Sequence, residues 1–107
     1  MTQPLKPSSG NVYQDLETKD AQAMQAKAYL VTIIGDVIYD MRLKQIQAAQ
    51  KMGISQGDLS KLLNGQFRGF SLDRLFTMLL RLKQDITIHI QKTKHTPHIH
   101  LSFSHPS

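Results

Sequence analysis

The sequence predicts a mainly α-helical domain, a bundle of four to five helices with a β-strand or hairpin at the carboxyl end. Three observations carry that expectation. Apolar residues recur every three and four positions before residue 42 and again from Leu72 to Leu82, the spacing that collects them on one face of a helix. Gln45 to Gly65, QIQAAQKMGISQGDLSKLLNG, reads as two short helices joined by a tight turn. From Asp85 the apolar residues fall at every second position, the period of a strand.

Taken in order, residues 1–17 are expected to form a flexible arm. Pro4, Pro7, Ser8, Ser9 and Gly10 leave little apolar surface to offset the entropy of ordering. Val12, Tyr13 and Leu16 could pack back on the domain or serve a partner. A long helix should start at Thr18 or Asp20 and run to about Met41, with Met24, Ala28, Val31, Ile34 or Gly35, Ile38 and Met41 on its apolar stripe. Gln25, Lys27, Asp36 and Asp40 would face water.

The central stretch follows. Ala49 is small where two helices would cross, and Gly53 can take the positive φ that ends a helix and turns the chain. Ser55 supplies an N-cap oxygen for the next helix. Ala48, Met52, Ile54, Leu59 and Leu62 should lie inside, leaving Gln56, Gly57, Ser60, Lys61 and Asn64 outside. Asn64-Gly65 makes the stop, and a loop from Gln66 to Gly69 leads to Ser71, which caps a fourth helix. Leu72, Leu75, Phe76, Leu79, Leu80 and Leu82 make that helix apolar enough for both a core and a subunit contact.

Ile86, Ile88 and Ile90 alternate with Thr87, His89 and Gln91, and a lone strand must find a partner for its backbone groups. The same strand of a second copy would close a two-fold homodimer through those three isoleucines. The run from His98 to Phe103, beyond the break at Thr96-Pro97, could fold back as a hairpin with the first. The expected division is therefore an arm (1–17), a helical domain (18–84) and a strand or hairpin with a histidine-rich tail (85–107).

Composition narrows the functions. A chain of 107 residues forms one modest core. Thirteen Lys and Arg against eight Asp and Glu give a charge of +5, which gains meaning only beside a helix shaped to enter a groove. With no cysteine there is no disulfide and no thiolate metal site, which suits a reducing cytoplasm. The first ten residues lack the apolar core of a secretory signal, and the apolar run from Tyr29 to Gly35 is too short to cross a bilayer. A soluble, cytoplasmic protein without membrane contact is expected.

The residues from Gln45 to Gly65 resemble the helix-turn-helix of the Cro/C1 repressor (XRE) family, which runs Gln, three residues, Ala, three residues, Gly, then a polar recognition helix ending near Asn-Gly. Gly69-Phe70-Ser71-Leu72-Asp73-Arg74-Leu75 and Asp85-Ile86-Thr87-Ile88 sit where the HigA-like antitoxin branch has its fourth helix and terminal strand. The likeness spans roughly residues 8 to 92; the histidine-rich end departs from it. It implies a Cro/C1-type helix-turn-helix bundle and a dimeric repressor of transcription. In that branch the regulator also binds a small RelE/HigB-like toxin encoded beside it, and the first 17 residues are the segment that would hold such a partner.

The chemistry of the outward face agrees with double-stranded DNA as the partner. A glutamine opening the recognition helix can pair with N6 and N7 of adenine, which makes Gln56 the first candidate for base reading. Gly57 permits close approach to the duplex or contributes nothing, and Ser60 and Lys61 lie one turn further on. Lys61 suits guanine or phosphate equally. Lys44 and Gln45, at a helix N-terminus, together with Ser55, Asn64 and Arg68, are the candidates for backbone phosphates. Two recognition helices about 34 Å apart would call for an inverted-repeat operator.

Other readings bear on the same residues. Polar helix faces are often only solvated, and Arg68 alone is weak evidence. All five histidines, His89, His95, His98, His100 and His105, lie in the last nineteen residues, and His98 and His100 would point the same way on a strand. Without carboxylate or thiolate helpers a polar strand face is favoured, so no metal site and no cofactor is expected. A lone phage-type XRE regulator, or an interaction module that does not touch DNA, remain the alternatives. No catalytic signature is present, and no enzyme is expected.

Overall fold

The computed structural model describes the backbone of residues 11–104 and the side-chain surroundings of residues 20–104. Among the described residues four α-helices follow one another: α1 (Asn11–Asp40), α2 (Gln45–Met52), α3 (Gln56–Leu63) and α4 (Leu72–Arg81). No strand occurs among the described residues. The proposed arm lies partly outside them, in residues 1–10.

Helix α1 begins at Asn11, ahead of the expected Thr18 or Asp20, and runs for 30 residues. Nothing from Asn11 to Glu17 is Gly or Pro, so once Gly10 is passed no residue stops the helix. Its buried stripe is broader than the expected one. Val31, Ile34 and Ile38 are buried, but so are Leu30, Ile33 and Val37, while Met24 and Ala28 are half-buried and Met41 is exposed. Two rows are buried because α1 packs against both α4 and α3.

The centre of the core is Ile34 from α1, Met52 from α2, Leu59 and Leu62 from α3, Leu75 and Met78 from α4, and Leu82 just after it. Ala48 and Ala49 are buried where α2 meets its neighbours, as their size allows. On α4, Leu79 also faces inward, Leu72 and Phe76 are half-buried, and Leu80 is left 55% exposed.

All four described helices end in the same way. A residue one or two positions past the helix takes a left-handed conformation and bonds a carbonyl three residues back, and the next N–H reaches a carbonyl five residues earlier: Leu43 to Ile38, Ile54 to Ala49, Gln66 to Lys61 and Gln84 to Leu79, at 2.9–3.1 Å. This pair of crossed bonds satisfies carbonyls that a helix end leaves open. Gly53 (φ 74°) and Gly65 (φ 91°) take the left-handed position without a Cβ penalty, whereas Arg42 (φ 56°) and Lys83 (φ 67°) take it with one.

The carboxyl-terminal expectation needs correcting. Residues 85–104 form neither helix nor strand and bend at Lys94 and His95; the two alternating runs do not pair as a hairpin and form no ladder among the described residues. The second run instead lies on α1. The Gln22 side chain donates from Nε2 to the Pro97 carbonyl at 3.0 Å, and its Oε1 accepts from the Ile99 N–H at 3.0 Å. One amide thus does for the extended chain what a neighbouring strand would do. Leu101 and Phe103 pack against the core, and His98 and His100 share a side, their ring centroids 5.7 Å apart. Alternation sorts the apolar side chains to one side; it does not say whether a sheet, a helix or nothing in the same chain covers that side.

The three isoleucines expected at a subunit contact divide. Ile86 packs against its own core, while Ile88 and Ile90 are 67% and 89% exposed.

Two outcomes follow. Replacing Arg42 or Lys83 by glycine should raise unfolding free energy by about 0.5–1 kcal/mol each by relieving left-handed strain, measured by chemical denaturation. Gln22→Ala should leave the Ile99 amide exchanging with solvent at an unprotected rate while core amides of α3 keep their protection.

Candidate nucleic-acid interface

The turn between α2 and α3 sets the geometry of the outward face. Gly53 N–H bonds the Gln50 carbonyl at 3.3 Å and Ile54 N–H bonds that of Ala49 at 3.0 Å, so α2 is closed and the chain reverses within three residues. Gly53 also admits a neighbour: a Cβ there would come within 3.1 Å of the Arg81 guanidinium. Arg81 thus lies over the carboxyl end of α2, where a cation is favoured by the helix dipole.

Helix α3 is then held by its start and by its inner side. Ser55 Oγ accepts from the Asp58 N–H at 3.0 Å, the N-cap bond expected of it. Leu59 and Leu62 are wholly buried. At 100° per residue, Gln56, Gly57, Ser60, Lys61 and Asn64 occupy the opposite arc. Gln56, Gly57, Lys61 and Asn64 are exposed and Ser60 is half-buried, so no part of the described chain covers this arc. These five residues therefore share one open side of α3.

The residues assigned to phosphate form less of a unit. Lys44 and Gln45 are exposed at the start of α2. The Lys44 backbone N–H bonds Gln47 Oε1 at 2.9 Å; the reciprocal half of a capping box is missing because an ammonium accepts nothing. Ser55 spends an oxygen lone pair on its cap but keeps a hydroxyl proton to donate. Asn64 follows α3 directly, its N–H shared between the Ser60 and Lys61 carbonyls. Arg68 is drawn toward α1 instead. Its guanidinium lies 3.7 Å from the Asp20 carboxylate, and its carbonyl accepts from Lys27 Nζ at 3.0 Å. The pair is largely exposed, 74% and 62%, and holds Arg68 only weakly.

Sequence reasoning passed over a link between the first turns of α3 and α4. Arg74 Nη2 lies 3.5 Å from Asp58 Oδ2, and the same guanidinium stacks 4.7 Å from the centroid of Phe70. Ser71 Oγ caps α4 by accepting from the Arg74 N–H at 3.1 Å. The visible signal was the parallel Ser-x-x-Asp and Ser-x-x-Arg, two caps with opposite charges three residues on. Among the described residues no three His, Cys, Asp or Glu side chains gather as a metal site, and no helix is long and apolar enough to span a membrane.

The family model described as a helix-turn-helix domain matches residues 12–91. A solved structure provisionally described as an XRE family transcriptional regulator superposes with a TM-score of 0.76 at 36% identity, covering 79% of this chain and 99% of that one. The chain belongs to the XRE-type helix-turn-helix family. No curated protein matches it. In XRE terms α2 and α3 are the motif, α3 is its second helix, and the match extends over most of α1 and through α4 into the extended segment.

Proposed function

We propose that this XRE-type protein is a sequence-specific DNA-binding regulator of transcription, acting as a repressor. The observation that carries the reading is the asymmetry of α3: Leu59 and Leu62 are wholly buried while Gln56, Gly57 and Lys61 stand in solvent. A helix held rigidly by one side and polar on the other is what the major groove of B-DNA accommodates. In this reading Gln56 reads adenine, and Gly57 keeps the first turn slim enough for close approach. Ser60 and Lys61 contact the next bases or the backbone. Lys44 and Gln45 meet phosphate at the start of α2, with Ser55, Asn64 and Arg68 adding contacts; Arg68 must first leave Asp20, at small cost because both are exposed.

The protein would act as a homodimer on an inverted repeat. The support is Ile88 and Ile90, apolar, alternating in sequence and largely exposed, in a segment without a ladder partner in the described chain. Such an edge pairs readily with its own copy. Leu80 adds exposed apolar surface from α4. The more specific role, a HigA-like antitoxin that also binds a RelE/HigB-like ribonuclease toxin, is supported by the resemblance of residues 69–75 and 85–88. Footprinting the full chain on the DNA upstream of its gene, with and without the product of the neighbouring gene, tests both levels. No protected site would overturn DNA regulation, and a site unaffected by the neighbour would overturn the antitoxin role alone.

Gln56→Ala should cost about 1–3 kcal/mol on the natural operator and relax preference at one position of each half-site, read by competition among operator variants. Arg68→Ala should weaken all sequences alike and lower the slope of log affinity against log salt by about one per subunit. Ile88→Asp should yield a folded monomer by light scattering; a stable dimer would remove the extended segment from the subunit contact.

A further inference from the structure

Asp58 is out of place on a helix meant for DNA. It belongs to the first turn of α3, two residues after Gln56 and three before Lys61, and its side chain is 41% exposed. Its local use is plain, because an acid in a first turn suits the helix dipole. Its cost appears when α3 nears a duplex, since every phosphate repels it.

Arg74 is out of place in the opposite sense. It stands in the first turn of α4, three residues after the Ser71 cap, where the dipole disfavours a cation and a capping box would use Glu or Gln. Local helix stability therefore does not account for it. Two contacts do: the Asp58 carboxylate at 3.5 Å and the Phe70 ring at 4.7 Å. Phe70 is 7% exposed, so the ring is a fixed platform built into the core. A guanidinium laid on that platform is restrained in the direction it faces.

We infer that Arg74, seated on Phe70, is a positioning residue that acts through Asp58, cancelling its charge so that the first turn of α3 can enter a phosphate-lined groove. The inference rests on the reading of α3 as a DNA-reading helix and adds a residue that touches no base. It gives the link between α3 and α4 a binding role. A half-exposed pair contributes little to folding, but an unpaired carboxylate at the DNA boundary contributes strongly to repulsion.

The test uses the full-length chain and a duplex that the wild-type protein selects from a random-sequence pool. Arg74→Ala should bind that duplex on the order of tenfold more weakly, with a melting curve close to wild type. Asp58→Asn alone should bind it at least as tightly as wild type, because Arg74 then stands uncompensated beside phosphate. The double variant should return affinity to within about threefold of wild type, since the charge that Arg74 offsets is gone. Three results would overturn the inference: Arg74→Ala binding as wild type, a double variant as weak as Arg74→Ala, or Asp58→Asn weakening binding or changing the selected base. The second would make Arg74 a direct phosphate contact or a purely structural residue, and the third would make Asp58 itself a reader. If the wild-type chain selects no sequence, the DNA reading of α3 fails and this inference falls with it; if it selects one, the variants judge the inference alone.

Discussion

What α3 offers to solvent depends on what it hides. Leu59 and Leu62 have no exposed surface, and they belong with Ile34 of α1 and Leu75 and Met78 of α4 to one continuous core. Burying a leucine side chain stabilises a fold by about 1.5–3 kcal/mol, so these two alone account for much of the attachment of an eight-residue helix that could not persist in water. Their spacing also fixes rotation. With residues 59 and 62 inward, the helix has no freedom to choose which side chains face out, and Gln56 and Lys61 are aimed by apolar packing on the far side.

The remaining restraints act on the ends of α3. Its start is set by the Gly53 turn and the Ser55 cap, and its flank is tied to α4 through Asp58, Arg74 and Phe70. Its finish is set by Asn64 and Gly65. A short helix pinned at start, underside and finish loses little further entropy on docking, which is how a small domain can present a preorganised surface.

Much of this was legible from the residues. Gly53, Ser55, Gly65 and Ser71 are side chains whose local chemistry nearly dictates their conformation, so the turn, two caps and a helix end could be read directly. The inner face of α3 followed from two leucines at helical spacing. Four things were not legible, each for a physical reason. The start of α1 at Asn11 lies ahead of the expected Thr18 or Asp20 because the apolar stripe weakens before residue 18, although residues 11–17 contain no helix breaker. Leu30, Ile33 and Val37 were missed because a single stripe assumes one packing partner and α1 has two. The hairpin does not form, and period-two alternation carries no information about what covers the apolar side: the helical core takes Leu101 and Phe103, while Ile88 and Ile90 stay largely exposed. The Asp58–Arg74 pair escaped for a related reason: each residue looks like ordinary helix surface until the two first turns are brought side by side.

The Gln22 clasp has a kinetic consequence. It joins positions 75 and 77 residues apart, whereas α2 and α3 meet across a turn of a few residues. Contacts between close neighbours form early because little loop entropy stands against them; a clasp spanning most of the chain must wait until the bundle exists. Its reward is also small, two hydrogen bonds at an exposed site and partial burial of Leu101 and Phe103. The last twenty or so described residues therefore make up the unit that docks last during folding and opens first afterwards, detaching and reseating many times within the lifetime of one intact helical core.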